Sequence, residues 1–217
     1  MGIKERKERE KSRRRDQILD AAIELTGQQG FERTTMDEIA EKAELSKGTL
    51  YLYYKDKSSL YQAIKKRALQ SLHQDFLTVL QQDKPGAMLV KEMISSFLDM
   101  IQKNVTFTKA IMLYRGSESS DSDQQSSIAE KCLNIENDVN MLMVKAIQIG
   151  VQDGSITTKL DPKLLALQIG FQMRGLLQFY ILDNKNMGVK IFKEQKLTLG
   201  ELMDQFLNIH LSHVEKP

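Results

Sequence analysis

Tryptophan is absent from the 217-residue chain and cysteine occurs once, at Cys132. A single thiol can close no intramolecular disulfide and build no thiolate-only metal site, and it suits a reducing cytosol. With 3 prolines and 12 glycines the chain has few helix breakers, which favours a globular protein of long helices. No apolar run approaches the roughly 18 residues of a membrane helix. The opening MGIKERKEREKSRRR has no apolar segment, so no signal peptide is expected there. Arg6 stands where a myristoylation pattern needs serine or threonine. No strand-like alternation and no internal repeat is found. There is also no phosphate-cradling glycine loop, no zinc-binding histidine pair and no nucleophile elbow. His73, His210 and His213 have no matching acid or nucleophile; His210 and His213, one turn apart, could bind a metal but read more readily as an exposed helix face. The expectation is a cytoplasmic, non-enzymatic protein with no catalytic residues, cofactor or metal.

What is present is unevenly placed. Residues 1–70 hold 16 Lys/Arg against 12 Asp/Glu, whereas the remainder holds 15 against 17. A basic amino-terminal end points to a polyanionic partner. Within that end, LSKGTLYLYYKDKSSLY at 45–61 crowds Tyr51, Tyr53, Tyr54 and Tyr61 together with Lys47, Lys55 and Lys57.

Periodicity organises the same region into helices. Ile18, Leu19, Ala22, Ile23 and Leu25 mark a helix over 15–29, closed by a glycine cap at Gly30, with Phe31 packing back. Residues 1–14 extend that helix or form a disordered basic arm; the Glu5–Arg9 and Glu10–Arg14 pairs suit a helix. Thr35 and Glu38 make a capping box for a short helix whose inward face is Met36, Ile39, Ala40 and Ala43. Ser46 caps a second short helix, about 47–53, with Leu50 and Tyr54 inward. Asp56 opens a longer helix bearing Leu60, Ile64, Leu69, Leu72, Phe76 and Leu80, which stops near Lys84-Pro85-Gly86. Helices are expected over 87–103, 105–115, 128–152, 161–183 and from about Leu199 to His213, with a polar loop at 117–127. The fold class is therefore all-α.

Two short helices on a tight turn, the second rich in small, basic and aromatic groups, make a helix-turn-helix. Gly48 lets the backbone approach duplex DNA closely, and the helix amino terminus favours phosphate. Thr49 is short enough to touch a base. Tyr51, Leu52 and Tyr53 face outward: the tyrosines can reach phosphate oxygens, and Leu52 a thymine methyl. Lys57 adds a phosphate contact.

The stretch GFERTTMDEIAEKAELSKGTLYLYYKDKSSLY resembles the DNA-binding domain of the TetR (tetracycline repressor) family over residues 12–62. The Gly-Phe, Thr-Thr, Ile-Ala, SKGTLY and Tyr-Lys-x-Lys elements occur in order. The resemblance implies an all-helical homodimer with a helix-turn-helix domain (1–62) and a variable effector-binding and dimerisation domain (63–217). It also implies DNA contacts by Thr35, Ser46, Lys47, Gly48, Thr49, Tyr51, Tyr53 and Lys57. One departure is Glu44, at a turn where the family often has glycine; a left-handed glutamate there costs about 1 kcal/mol.

In the back half, the helix over 161–183 is apolar nearly all round and must be covered on both sides. Gly170, Leu177, Leu202 and Phe206 are the expected dimer contacts. Nine of eleven methionines follow residue 80. Methionines and aromatics suit an adaptable apolar pocket, and Phe97, Met100, Phe107, Met112, Tyr114, Met141 and Phe171 are its candidate lining, with Arg174 as an anion anchor. The functional expectation is a repressor that holds a pseudo-palindromic operator and is released by a small apolar or amphipathic effector. An activator of the same fold, or an apolar-ligand carrier with a weak DNA domain, stays open.

Overall fold

Short polar signals set the amino-terminal helices. A computed structural model describes residues 2–103 and 123–182, with 105, 108, 194, 198, 200–202, 204, 205 and 208. Its first four helices are α1 (Ile3–Gln29), α2 (Met36–Lys42), α3 (Lys47–Tyr53) and α4 (Lys57–Leu80). Gly30 ends α1 at φ +86°, its N–H donating to the Thr26 carbonyl at 2.9 Å. Thr35 caps α2: its Oγ1 accepts from the Glu38 N–H at 3.2 Å, and Glu38 Oε2 accepts from the Thr35 N–H at 2.8 Å. That reciprocity holds the Glu38 carboxyl below its usual pKa. Ser46 Oγ accepts from the Thr49 N–H at 3.1 Å and caps α3. Asp56 Oδ1 accepts from the Ser59 N–H at 2.6 Å and caps α4.

The turn between α2 and α3 is a left-handed helix stop. Leu45 N–H reaches back to the Ala40 carbonyl and Glu44 N–H to the Glu41 carbonyl, both at 2.9 Å. Those two bonds form the Schellman arrangement, whose left-handed position favours glycine. Here Glu44 occupies it at φ +54°. The strain expected from the sequence is present, and the paired backbone bonds hold it in place.

The core of this region is one cluster that includes Ile18, Ala22, Ile39, Leu50 and Leu60, each 0% exposed. Met36, Ala40, Ala43, Tyr54 and Ile64 are buried with them, as helical spacing requires. Burying side chains of this size stabilises by about 1.5–3 kcal/mol each. Thr26 and Tyr61 hydroxyls meet inside it and join α1 to α4. Arg67 ties the same two helices from the surface, 2.7 Å from Asp20.

Three more helices are described: α5 (Gly86–Lys103), α6 (Asp123–Asp153) and α7 (Pro162–Leu182). No strand occurs among the described residues. Helix α6 begins at Asp123, so 123–127 is helical rather than part of the expected polar loop. An acidic residue in a first turn complements the helix dipole, which favours this earlier start. Gly154, at φ +77°, follows the end of α6. Asp161 caps α7, accepting from Lys163 N–H at 2.8 Å. The chain divides into two compact units, one of residues 1–67 with 104–132 and one of 68–103 with 133–217. The division falls inside the continuous α4.

In the second unit α5 starts against the end of α6. The Gly86 N–H donates to Asp153 Oδ2 at 2.8 Å and the Ala87 N–H to Ser155 Oγ at 3.0 Å. Hydrogen bonds from the Ser155 hydroxyl, the Gly86 N–H and the Ser155 N–H hold the Asp153 carboxyl below its usual pKa. A Cβ on Gly86 would lie 2.0 Å from the Gly150 nitrogen, so only glycine allows this approach. Helix α7 buries Leu165, Ala166, Ile169 and Met173 and exposes Leu164, Leu167 and Phe171. Its apolar residues do cover both sides. Most of the expected helix over 105–115 and most of the last helix lie outside the described residues, although 105 and 108 are helical. Thr198 and Glu201 form a capping box there, and Leu202 N–H bonds to the Thr198 carbonyl at 3.1 Å.

Candidate functional site

Helix α3 buries Leu50 and leaves most of its other side chains outward. Leu52 is 86% exposed and Tyr51 is 42% exposed. Both side chains therefore stand clear of the chain's own core on a capped helix. Tyr53 lies half on the core and half out, so its ring is anchored by the protein. Thr35, Ser46, Lys47 and Gly48 are also exposed, and Thr49 is half-buried beside Ser46, hydroxyl to hydroxyl at 2.8 Å.

Gly48 is the most informative of these positions. A Cβ built there would meet only Ser46 Oγ, at 4.0 Å. Nothing in the chain requires a missing side chain at that point. A helix interior loses about 0.5–1 kcal/mol by having glycine in place of alanine.

Lysines flank this surface in different states. Lys47 Nζ donates to Asp37 Oδ2 at 2.7 Å across the helix-turn-helix, and the bond raises the ammonium pKa. Lys57 sits 4.3 Å over the Phe31 ring and 3.3 Å from the Glu32 carbonyl. Burial pushes its pKa down. A phosphate contact by Lys57 has to compete with these internal partners. Lys55, exposed in the turn after α3, and Arg33, exposed before the Thr35 cap, are cations that the sequence reading passed over. Lys55 stands in the Tyr-Lys-x-Lys element, which was the signal available for it.

A separate cleft of about 180 Å³ lies wholly within the second unit. Phe97, Phe171 and Arg174 line it, together with Leu69, Leu72, Phe76, Glu136, Val139, Asn140, Met143 and Met173. Its wall is apolar apart from Glu136, Asn140 and Arg174, and Arg174 lies 4.0 Å from Glu136. Met100 and Met141 are not on the wall: Met100 is half-buried elsewhere and Met141 is 47% exposed. Their turns of α5 and α6 present other faces to the cleft. Phe107, Met112 and Tyr114 lie outside the described residues.

Among the expected dimer contacts, Gly170 lines the cleft, and a Cβ there would meet nothing within 4 Å. Leu202 is half-buried. The side chains of Leu177 and Phe206 lie outside the described residues. No group of three or more His, Cys, Asp or Glu among the described residues is placed to hold a metal ion. No helix among them is long and apolar enough to cross a membrane.

A capped, exposed second helix over a Schellman turn defines a helix-turn-helix DNA-binding regulator. Residues 18–64 match the sequence model of the bacterial regulatory proteins of the tetR family. That match covers the helix-turn-helix region, so the amino-terminal end of the chain is similar to the DNA-binding end of that family. It is 20% identical over 197 residues to the probable acrEF/envCD operon repressor of Escherichia coli K12, covering 89% of this chain and 86% of that protein. Two solved structures show the same fold. The transcriptional regulator FadR from Bacillus subtilis, in complex with stearoyl-CoA, superposes at TM-score 0.67 with 18% identity, over 92% of this chain and 98% of that one. SmeT, the repressor of a Stenotrophomonas maltophilia multidrug efflux pump, superposes at TM-score 0.63 with 22% identity, over 94% and 96%.

Proposed function

We propose that two copies of the chain hold a pseudo-palindromic operator and repress transcription in the cytoplasm, and that a small apolar or amphipathic effector in the second-unit cleft releases them. The observation that carries the DNA half is Gly48: its open approach beside exposed Leu52 and Tyr51 is unexplained by the fold and suits a major-groove edge. In a dimer the two α3 helices address half-sites about 34–36 Å apart. The exposed row Leu164, Leu167 and Phe171 supports a partner copy, since its spacing of three and four residues makes one continuous apolar stripe. Gly170 and Gly175 leave space beside it for a second helix.

The cleft supports the effector half. Its wall of Leu72, Phe76, Met143 and Met173 suits a hydrocarbon portion, and Glu136, Asn140 and Arg174 suit a polar head. The acyl-CoA held by the Bacillus subtilis FadR structure fits that description. Helix α4 begins at the Asp56 cap and brings Leu72 and Phe76 to the cleft, so an effector that moves α4 biases the reading helices. Release is then a population shift, in which the effector prefers the dimer that cannot span the half-sites. The protein works by binding alone, with no chemical step.

The test uses a duplex selected by the protein from a random library. Stearoyl-CoA and tetraphenylphosphonium serve as probes, with melting temperature and DNA affinity as the readouts. The expected result is that at least one probe raises the melting temperature and weakens DNA binding, and that Met143→Gln reduces both effects. Stabilisation with unchanged DNA affinity would instead favour a ligand carrier.

A further inference from the structure

We propose that the overhanging start of α1 is a helical phosphate clamp for DNA flanking the bases read by α3. Helix α1 is unbroken from Ile3, yet its first fully buried residue is Ile18. The exposed overhang, residues 3–15, holds eight Lys/Arg against three Glu. The clamp rests on the reading of α3 as the DNA reader.

The charges are arranged, not merely abundant. Lys4, Lys7, Lys11 and Arg14 are spaced three, four and three apart, and Ile18 and Ala22 continue the series at four. They share one helix face. The face that seats α1 in the core thus becomes, in the overhang, a cationic stripe. Of the nearby acids, Glu5 accepts from the Gly2 N–H at 3.1 Å, Glu10 pairs with Arg14 at 2.7 Å and Asp20 pairs with Arg67 at 2.7 Å, while Glu8 stands among the cations. Arg67 thereby fixes the root of the overhang to α4. Tyr54, the residue that ends α3, is buried in the same cluster as Ile18 and Leu19, where the overhang is rooted. The stripe therefore starts beside the recognition helix.

Helical form selects the contact. A helix with side chains is about 10–12 Å across, and the minor groove is about 6 Å wide. A helical overhang cannot enter it, so its cations meet backbone phosphates. Thirteen residues reach about 20 Å, which is roughly six base pairs of duplex. Cations crowded at a helix start also oppose the helix dipole, and anionic phosphate removes that conflict.

The experiment compares wild type with the Lys4→Gln/Lys7→Gln/Lys11→Gln variant, since these exposed side chains support no part of the fold. Two duplexes are used: a library-selected site trimmed to its invariant core, and the same site with about six further base pairs on each side. Wild type should bind the longer duplex about tenfold more tightly at 0.1 M salt, with a log–log salt slope steeper by about 2–3 units. The triple variant should lose that gain and keep its affinity for the trimmed site. Equal gains in both proteins, or no gain in wild type, would overturn the clamp while leaving the α3 reading intact. Loss of wild-type binding to anionic phosphatidylserine vesicles in the triple variant, without any flank effect on DNA, would also overturn it. If wild type selects no duplex at all, the α3 reading falls and the clamp with it.

Discussion

Lys47 Nζ and Asp37 Oδ2 lie 2.7 Å apart, so the first cation of the recognition helix is held by a carboxylate of the helix before it. Both side chains are about 60% exposed (62% and 61%), and such a solvent-screened pair contributes little to stability. On the proposed reading of α3, a phosphate approaching Lys47 has to displace Asp37. Asp37→Asn should therefore leave stability nearly unchanged and tighten DNA binding about fivefold at low salt, the equivalent of about 1 kcal/mol for one removed charge near 4 Å in water. Lys47→Ala should weaken binding. Anisotropy titrations of both variants at 50 and 200 mM salt check the pair, and an unchanged affinity in Asp37→Asn would show that the carboxylate does not compete.

The Thr26 and Tyr61 hydroxyls share a hydrogen bond inside the first unit. Tyr61→Phe strands the fully buried Thr26 hydroxyl, at a cost of about 1–3 kcal/mol. Thr26→Val/Tyr61→Phe replaces both partners by apolar groups of the same shape and should cost less than the two single changes added. Urea unfolding of the four proteins measures the coupling directly.

Gly86 has no room for a side chain, since a Cβ would fall 2.0 Å from the Gly150 nitrogen and 2.6 Å from the Ala146 carbonyl oxygen. Backbone cannot yield as a side-chain tip can. Gly86→Ala should destabilise by several kcal/mol or prevent folding, unlike Gly170→Ala, whose Cβ meets open space. Expression level and melting temperature of the two variants separate them.

Burial pushes the Tyr54 phenol up to about 12 from its ordinary 10.0, and Tyr61 is shifted the same way. The folded state holds these protons more tightly than the unfolded chain. Their contribution is therefore whole below pH 10 and is lost as pH rises toward about 12. Unfolding free energy should fall across that window, and less steeply in Tyr54→Phe. Tyrosinate absorbance at 295 nm should show late-titrating phenols in the folded protein only.

Local chemistry was legible before the structure. The Thr35 and Ser46 caps, the Gly30 stop and the inward faces of α2 and α3 follow from residues a few positions apart, and so does the strained turn at Glu44. Three features needed the structure because they depend on distant partners. The first was the state of the arm: its Glu–Arg pairs fit a helix, but only the continuous α1 decides it. The second was the cleft wall, where α4 supplies Leu72 and Phe76 while Met100 and Met141 turn away; helical spacing does not say which buried face meets a void. The third was Lys57, whose place over Phe31 arises from residues 26 positions apart.

The most direct test of the central claim, that α3 reads duplex DNA through a deliberately bare backbone, is the paired stability and DNA affinity of Gly48→Ala. The added methyl finds free space in the protein and removes a glycine from a helix, so the melting temperature should hold or rise, by the equivalent of up to about 1 kcal/mol. Affinity for the selected duplex should drop at least about tenfold, the equivalent of about 1.4 kcal/mol. A variant that is as stable as wild type and binds the duplex equally well would contradict the assignment of this surface to DNA.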